Sequence, residues 1–235
     1  QDFNLDELDC SPPVRLGSAD ADYEAAAQLI RSASRVVIKA GGGAIHAGKE
    51  LQRLLALSGG VLVHTPIATG CIPYSNPANM GVGGSKGSLC GNFAMENADL
   101  LIAVGTRAVC QSDGSRTGYP GVKQVININA DLEDALHYNR TLPLVGDIHS
   151  TLASLNGALE RCALPWNDEK DAWLAECGRQ KERWQELKSE RLAHPVLFDE
   201  YWQQDVLTQP AVIKTALEWA KLNRVLSFFD AGDVQ

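Results

Sequence analysis

The sequence predicts an α/β protein, a doubly wound open parallel sheet of Rossmann-like type. Three observations carry that expectation. Five short apolar runs lie near 36–40, 61–64, 100–104, 124–128 and 142–145, each ending in Gly, Thr or Asn. Segments of helical period separate the runs, the pattern of strands crossing over through helices. The stretch RVVIKAGGGAIHAG, residues 35–48, joins the first run to a helix through consecutive glycines.

Composition narrows the function classes. The chain has 235 residues, 45% of them hydrophobic and 21% charged, which suits a well-packed globular protein. Its formal net charge is −8 and no dense Lys/Arg cluster occurs, so nucleic acid and acidic membrane surfaces are poor partners. No apolar run reaches the ~20 residues that span a bilayer. Six cysteines, at 10, 71, 90, 110, 162 and 177, form no CxxC pair, and are read as free thiols in a reducing cytoplasm. Five histidines show no zinc-ligand spacing.

The elements follow in order. Residues 1–19, with Pro12-Pro13, read as a linker. Asp20 or Asp22 is positioned to cap a helix to about Ser34, with Ala26, Ala27, Leu29 and Ile30 on its apolar side. After the first strand come Gly41, Gly42 and Gly43, then KELQRLLAL with leucines at helical spacing, ending at Ser58-Gly59-Gly60. A glycine turn of this kind either lets a ligand approach the backbone and the helix start, or simply makes a tight strand-to-helix turn. The dinucleotide fingerprint is incomplete. His46 holds its third glycine position and the second strand ends in His64-Thr65-Pro66 with no acid, which disfavours an ordinary NAD dehydrogenase.

Residues 65–91 read as one long loop rich in Gly, Pro, Ser and Asn, followed by a helix over 89–97. The third run, 100–104, ends in Gly105-Thr106-Arg107. A polar loop over 111–121 follows, with Asp113, Arg116 and Tyr119. The fourth run ends in Asn129-Ala130-Asp131 and the fifth in Gly146-Asp147, before a helix over 148–159. Ligands of open parallel sheets bind beyond the carboxyl ends of the strands, so these endings form one candidate site. Residues 166–192 read as a charged, solvated connecting helix in which Trp173 and Trp184 touch a neighbour. A short irregular stretch leads to a helix over 209–222 with Pro210 in its first turn, then to a strand over 224–229 and Asp230-Ala231-Gly232-Asp233. Gln1 in place of Met and the strand-like run before Gln235 read as the ends of a fragment.

The order of these motifs resembles the central domain of thiamine diphosphate-dependent enzymes of the acetolactate synthase type. The resemblance rests on RVVIKAGGGAIHAGKEL, VLVHTPIATGCIPYSNP, GGSKGS before NFAMENADLLIAVGTR, VININADLEDA, and LVGD before a helix. It implies a linker from an absent N-terminal domain over 1–19 and a central Rossmann-like domain over 20–165. A connecting helix and linker would fill 166–208, and 209–235 would begin a C-terminal domain. The resemblance further implies thiamine diphosphate and Mg²⁺ in the intact parent and a 2-keto acid or related carbonyl substrate. Its activating glutamate and metal-binding motif match no residue here, so no catalytic or metal residue is assigned and the chain alone is expected to be inert. The matching nucleotide positions are Gly41, Gly42, Gly43, Thr65, Lys86, Gly87, Gly105, Thr106, Arg107, Asn129 and Asp131. Lys86-Gly87-Ser88 replaces the family's His-Gly-Thr, and Arg107-Ala108-Val109-Cys110 replaces its Arg-Phe-Asp-Asp. Both changes touch flavin-contacting segments, so an empty scaffold and subunit-contact domain is preferred to one holding FAD or ADP. The expected partners are the missing domains of the same protein and further copies in a homo-oligomer. The alternative is a free-standing FAD- or ADP-type module without thiamine chemistry.

Overall fold

The computed structural model describes residues 18–108, 118–136, 138 and 140–227. Its centre is a parallel sheet of six strands: β1 (Val36–Ala40), β2 (Val61–His64), β3 (Asn79–Val82), β4 (Leu100–Val104), β5 (Gln124–Asn129) and β6 (Thr141–Val145). They lie side by side as β3-β2-β1-β4-β5-β6, every pair parallel. The chain builds outward from β1 in one direction, then returns to start again on its other side. The strand order therefore reverses between β1 and β4.

Near-continuous apolar strands require cover on both faces. On one face, Val36, Ile38 and Ala40 alternate out of β1 into a core with Ile102, Ile126 and Leu144. Helices α1 (Asp20–Ser32), α2 (Gly48–Ser58) and the helix over Ile148–Arg161 close it with Ile30, Leu54 and Leu155. On the other face, Val37, Val63 and Leu101 meet Cys90 and Met95 of α3 (Leu89–Asn97) and Trp173 of a 25-residue helix, Glu169–Ala193. A short helix, α4 (Leu132–Ala135), separates β5 from β6, so the two long helices are α5 (148–161) and α6 (169–193). After them come an antiparallel pair, β7 (Val196–Asp199) with β8 (Gln204–Leu207), and α7 (Gln209–Leu222).

Several expectations need correction. The long loop contains the edge strand β3. Its sequence, Asn-Met-Gly-Val, lacks strand propensity and alternation. It is held instead by Asn79, whose Nδ2 donates to Ile72 O at 2.9 Å and whose Oδ1 accepts from Gly81 N at 2.8 Å. Gly81 has φ +84 and the register shifts between Leu62 and His64, as in an irregular edge. Neither Asp20 nor Asp22 is the N-cap of α1. Ala19 holds that position, and both acids sit in the first turn, where they favour the positive helix end. The irregular stretch after Pro195 is the β7–β8 hairpin. Residues 224–227 form no strand, Arg224 having φ 54; residues 228–235 lie outside the described residues.

The expected solvated helix is largely anchored. Trp173 is 4% exposed, donates from Nε1 to Val36 O at 3.1 Å, and stacks on Phe93 with ring centroids 6.1 Å apart. Trp184 packs partly buried against the same core. Further along α6, Lys181 donates to Tyr74 O and Asn76 O at 2.9 and 2.7 Å. At the start of α6, Lys170 is fully buried, and its Nζ donates to Ile30 O and Ser58 O, both at 2.6 Å. Ile30 lies in the last turn of α1 and Ser58 ends α2, so one ammonium sits on the negative ends of two helices. Next to it Gly59 ends α2 at φ 64, with the Trp166 ring packed where a Cβ would project.

Burial, reinforced by nearby Arg31, lowers the Lys170 pKa from its ordinary 10.5 to about 8, while Asp99 acts the other way. The folded pKa is thus below the unfolded one. The desolvation penalty is constant below about 8 and is relieved as pH rises from about 8 to 10.5, where only the unfolded chain still holds the proton. Cys177, whose thiol burial pushes well up, works oppositely above pH 9. A comparison of Lys170→Met with the wild type isolates the lysine. The variant should lose about 2 kcal/mol at pH 7, because two buried carbonyls lose their donor. The wild-type advantage in urea denaturation should then grow by roughly 3 kcal/mol towards pH 10.5.

Candidate functional site

The sheet reverses its order between β1 and β4, and at such a point the connecting loops of a doubly wound sheet usually part to leave a crevice. Here the two loops touch. The Gly41 N–H donates to Val104 O at 2.9 Å and the Gly43 N–H to Gly105 O at 3.0 Å. A Cβ on Gly41 would collide with the Gly105 carbonyl oxygen, and one on Gly105 would lie 2.7 Å from the Gly43 carbonyl carbon. Gly105 also has φ +56, the left-handed region that favours glycine. Gly42 and Gly43 are exposed at the rim.

The turn itself is a single 3-10 turn, Gly42–Ala44, in which Ala44 N donates to Gly41 O at 2.9 Å and Ile45 N to Gly42 O at 3.4 Å. The helix expected over KELQRLLAL is present as α2, but it begins at Gly48, where a Cβ would lie 2.6 Å from Cys71 O, and not at the glycines themselves. Its free N–H groups belong to a part of the chain beyond the glycine turn.

The other expected residues divide into two groups. Thr65 donates its N–H to Ala40 O at 3.0 Å, beside the glycine turn. Thr106 is 6% exposed, and its carbonyl accepts from Asn129 Nδ2 at 3.1 Å. Arg107 is exposed. Asp131 caps α4, its Oδ1 accepting from Glu133 N and Asp134 N at 2.8 and 3.1 Å. Gly146 N donates to Asn129 O at 3.0 Å, so the strand ends of β1, β4, β5 and β6 are laced together. Lys86 and Gly87 belong elsewhere. Their turn follows the edge strand β3, two strands away from β1, hence roughly 10 Å off. Gly87 N donates to Gly84 O at 3.0 Å, a Cβ there would meet Val82 O at 2.6 Å, and Ser88 caps α3 by accepting from Gly91 N at 3.1 Å.

Two further groups at this edge escaped the sequence reading. Lys39 is 1% exposed within β1, and its Nζ donates to Tyr138 OH at 3.2 Å and reaches Arg107 O at 3.5 Å. The signal was available: one lysine inside the run VVIKA, on the same face as Val37. His64 is 5% exposed with Nδ1 at 3.1 Å from Thr65 O, which requires the proton on Nδ1. Burial holds its pKa below the ordinary value, against that hydrogen bond. Among the described residues no group of three or more His, Cys, Asp and Glu is arranged to hold a metal ion. The edge can position polar backbone and the cations of Lys39 and Arg107, and the described residues place no nucleophile beside a base.

The protein family described as "Thiamine pyrophosphate enzyme, central domain" matches residues 23–155. The chain belongs to that family. Acetolactate synthase of Mycobacterium leprae is 30% identical over 177 residues, covering 74% of this chain and 27% of the relative. The probable acetolactate synthase large subunit of Methanocaldococcus jannaschii is 34% identical over 179 residues, 74% of this chain and 28% of the relative. A 3D-(3,5/4)-trihydroxycyclohexane-1,2-dione hydrolase of Bacillus subtilis is 30% identical over 205 residues, 84% of this chain and 31% of the relative. The chain spans about 27–31% of the length of these curated relatives. The matched region begins inside α1 and ends inside α5, and so contains the sheet and the loop contact between β1 and β4.

That contact is testable by substitution. Gly105→Ala should lower stability by about 3 kcal/mol, from its backbone conformation and the collision with Gly43. Gly178→Ala, in α6 with nothing within 4 Å of the new methyl, should raise it by about 0.5–1 kcal/mol. Equal, small effects in thermal denaturation would contradict the contact.

Proposed function

We propose that this chain is the scaffold and subunit-contact domain of a thiamine diphosphate- and Mg²⁺-dependent enzyme acting on a 2-keto acid or related carbonyl compound. The observation that carries the reading is the central-domain match over 23–155, in a fold whose switch-point loops close on each other by backbone contact. Relatives named for two different reactions are equally similar, at 30% identity each, which supports a shared framework and leaves substrate choice to other parts of the protein. The remaining domains of the parent and further copies of it are the partners this reading requires. None of the described residues is assigned to chemistry.

Thiamine diphosphate supplies a carbon nucleophile when it is bound and needs a metal to anchor its diphosphate. The described residues do not fit that group. They contain no set of metal ligands, and Asp131, an acid of the strand ends, is engaged as the cap of α4. A nucleotide is likewise not favoured. Its phosphates would need free amides near Gly42–Ala44, where Gly43 and Ala44 already donate to the chain. The nearby Asn129 donates to Thr106 O. The rival reading, a free-standing FAD- or ADP-binding module, has no such support.

Isothermal titration tests the proposal. With thiamine diphosphate and Mg²⁺, and separately with ADP, the 235-residue chain should show no saturable heat at micromolar ligand. Saturable thiamine diphosphate binding, or carbon dioxide release from a 2-keto acid by this chain alone, would overturn the scaffold assignment. Tight ADP binding, or a purified protein yellow with flavin, would restore the nucleotide module.

A further inference from the structure

The amino edge of the sheet, opposite the laced strand ends, carries a separate open groove of about 670 Å³. Its volume falls within the ~300–1,000 Å³ of small-ligand sites. One wall is α1 through Gln28 and Leu29. The other is formed by Gln124, the first residue of β5, and Leu142, the second of β6, with Arg140 just before β6 and Leu164 at the rim.

Three features give the groove a chemical preference. The side chains of Gln28, Gln124 and Arg140 make no hydrogen bond or ion pair among the described residues. Among the described residues no Asp or Glu lines the groove, on a chain whose formal net charge is −8, so the lining gives the exposed Arg140 guanidinium no carboxylate. Leu29, Leu142 and Leu164 supply apolar surface beside it. Arg140 is also one of the described non-glycine residues with positive φ, at 53, and its carbonyl accepts from Val125 N at 3.1 Å, so its backbone is fixed by the start of the β5–β6 ladder.

We propose that this groove binds a short-chain aliphatic carboxylate, its oxygens on the Arg140 guanidinium and its alkyl part against the leucines. A planar, permanently charged guanidinium matches a carboxylate with two parallel hydrogen bonds. Gln28 and Gln124 offer amide N–H groups to the same anion. The leucines distinguish this ligand from an inorganic anion, which would leave them wet. An open site of this size gives affinity on the order of millimolar for so small a ligand. The proposal does not depend on the scaffold reading, since the groove lies at the other end of the strands.

The test uses the full chain with isovalerate, isoamyl alcohol and inorganic phosphate, followed by amide chemical shifts. Isovalerate should give saturable shifts at Leu29, Gln124, Arg140 and Thr141. The alcohol and phosphate should bind at least about tenfold more weakly, from the loss of the charged bonds or of the apolar contact. Arg140→Asn removes the cation with a residue that tolerates positive φ, and should weaken isovalerate at least about tenfold with unchanged circular dichroism. Leu164→Ala, at an exposed rim position, should weaken isovalerate and leave phosphate unaffected. The proposal fails if no shift saturates, if the alcohol or phosphate binds as well as isovalerate, if Arg140→Asn binds like the wild type, or if the shifts cluster at Gly42 and Gly105 instead.

Discussion

Backbone meets backbone where the sheet changes direction, and the rest of the carboxyl edge is arranged around that contact. Gly41 and Gly43 lie against Gly105 so closely that a methyl group on Gly41 or Gly105 would strike main-chain atoms. Because the Gly43 N–H donates across to Gly105 O, the end of β1 is fixed to the end of β4. Gly105 N in turn donates to Ile128 O, and Asn129 ties β5 back to Thr106. A chain of short polar links thus runs over the strand ends that a ligand would otherwise occupy. The same residue type that lets a phosphate approach the backbone also lets one loop approach another.

Two buried lysines extend this logic to the faces of the sheet. Lys39 reaches from β1 to Tyr138 OH and Arg107 O, holding the segment after β4 on the α3 side. Lys170 does the equivalent at the amino end of α6, where its ammonium joins the carboxyl ends of α1 and α2. Burying an ammonium is costly unless its protons find acceptors, and helix-terminal carbonyls are acceptors that would otherwise lack donors. The arrangement satisfies both at once, and with Trp173 bonded to Val36 O it makes α6 a layer of the fold.

Much of this was legible in the sequence, for identifiable reasons. Runs such as VVIKA and LLIAV are buried on both faces, so burial and β-branched content point the same way. Strand β3 was not legible, because Asn79 and Gly81 form it through side-chain bonds and a left-handed glycine, with none of the usual alternation. The anchoring of α6 was hidden by its charge: Lys170 reads as a solvated residue unless the two carbonyls it meets are known. At the candidate site the residue types were found but their tasks were ambiguous. Asp131 resembles a sugar-binding acid and acts as a helix cap, while Lys86 and Gly87 fall beside a different strand. Groups that bind ligands and groups that finish secondary structure are drawn from the same short menu of Gly, Asn, Asp and Ser.

The central claim is that the glycines at the switch point serve chain-to-chain packing, and amide hydrogen exchange at Gly43 and Gly105 tests it most directly. Both N–H groups donate to main-chain carbonyls, at 3.0 and 2.8 Å. The account predicts strong protection of both amides in the protein alone, unchanged when ADP or FAD is added. Fast exchange in the protein alone that becomes slow only with nucleotide present would contradict it, and would identify the turn as a phosphate cradle.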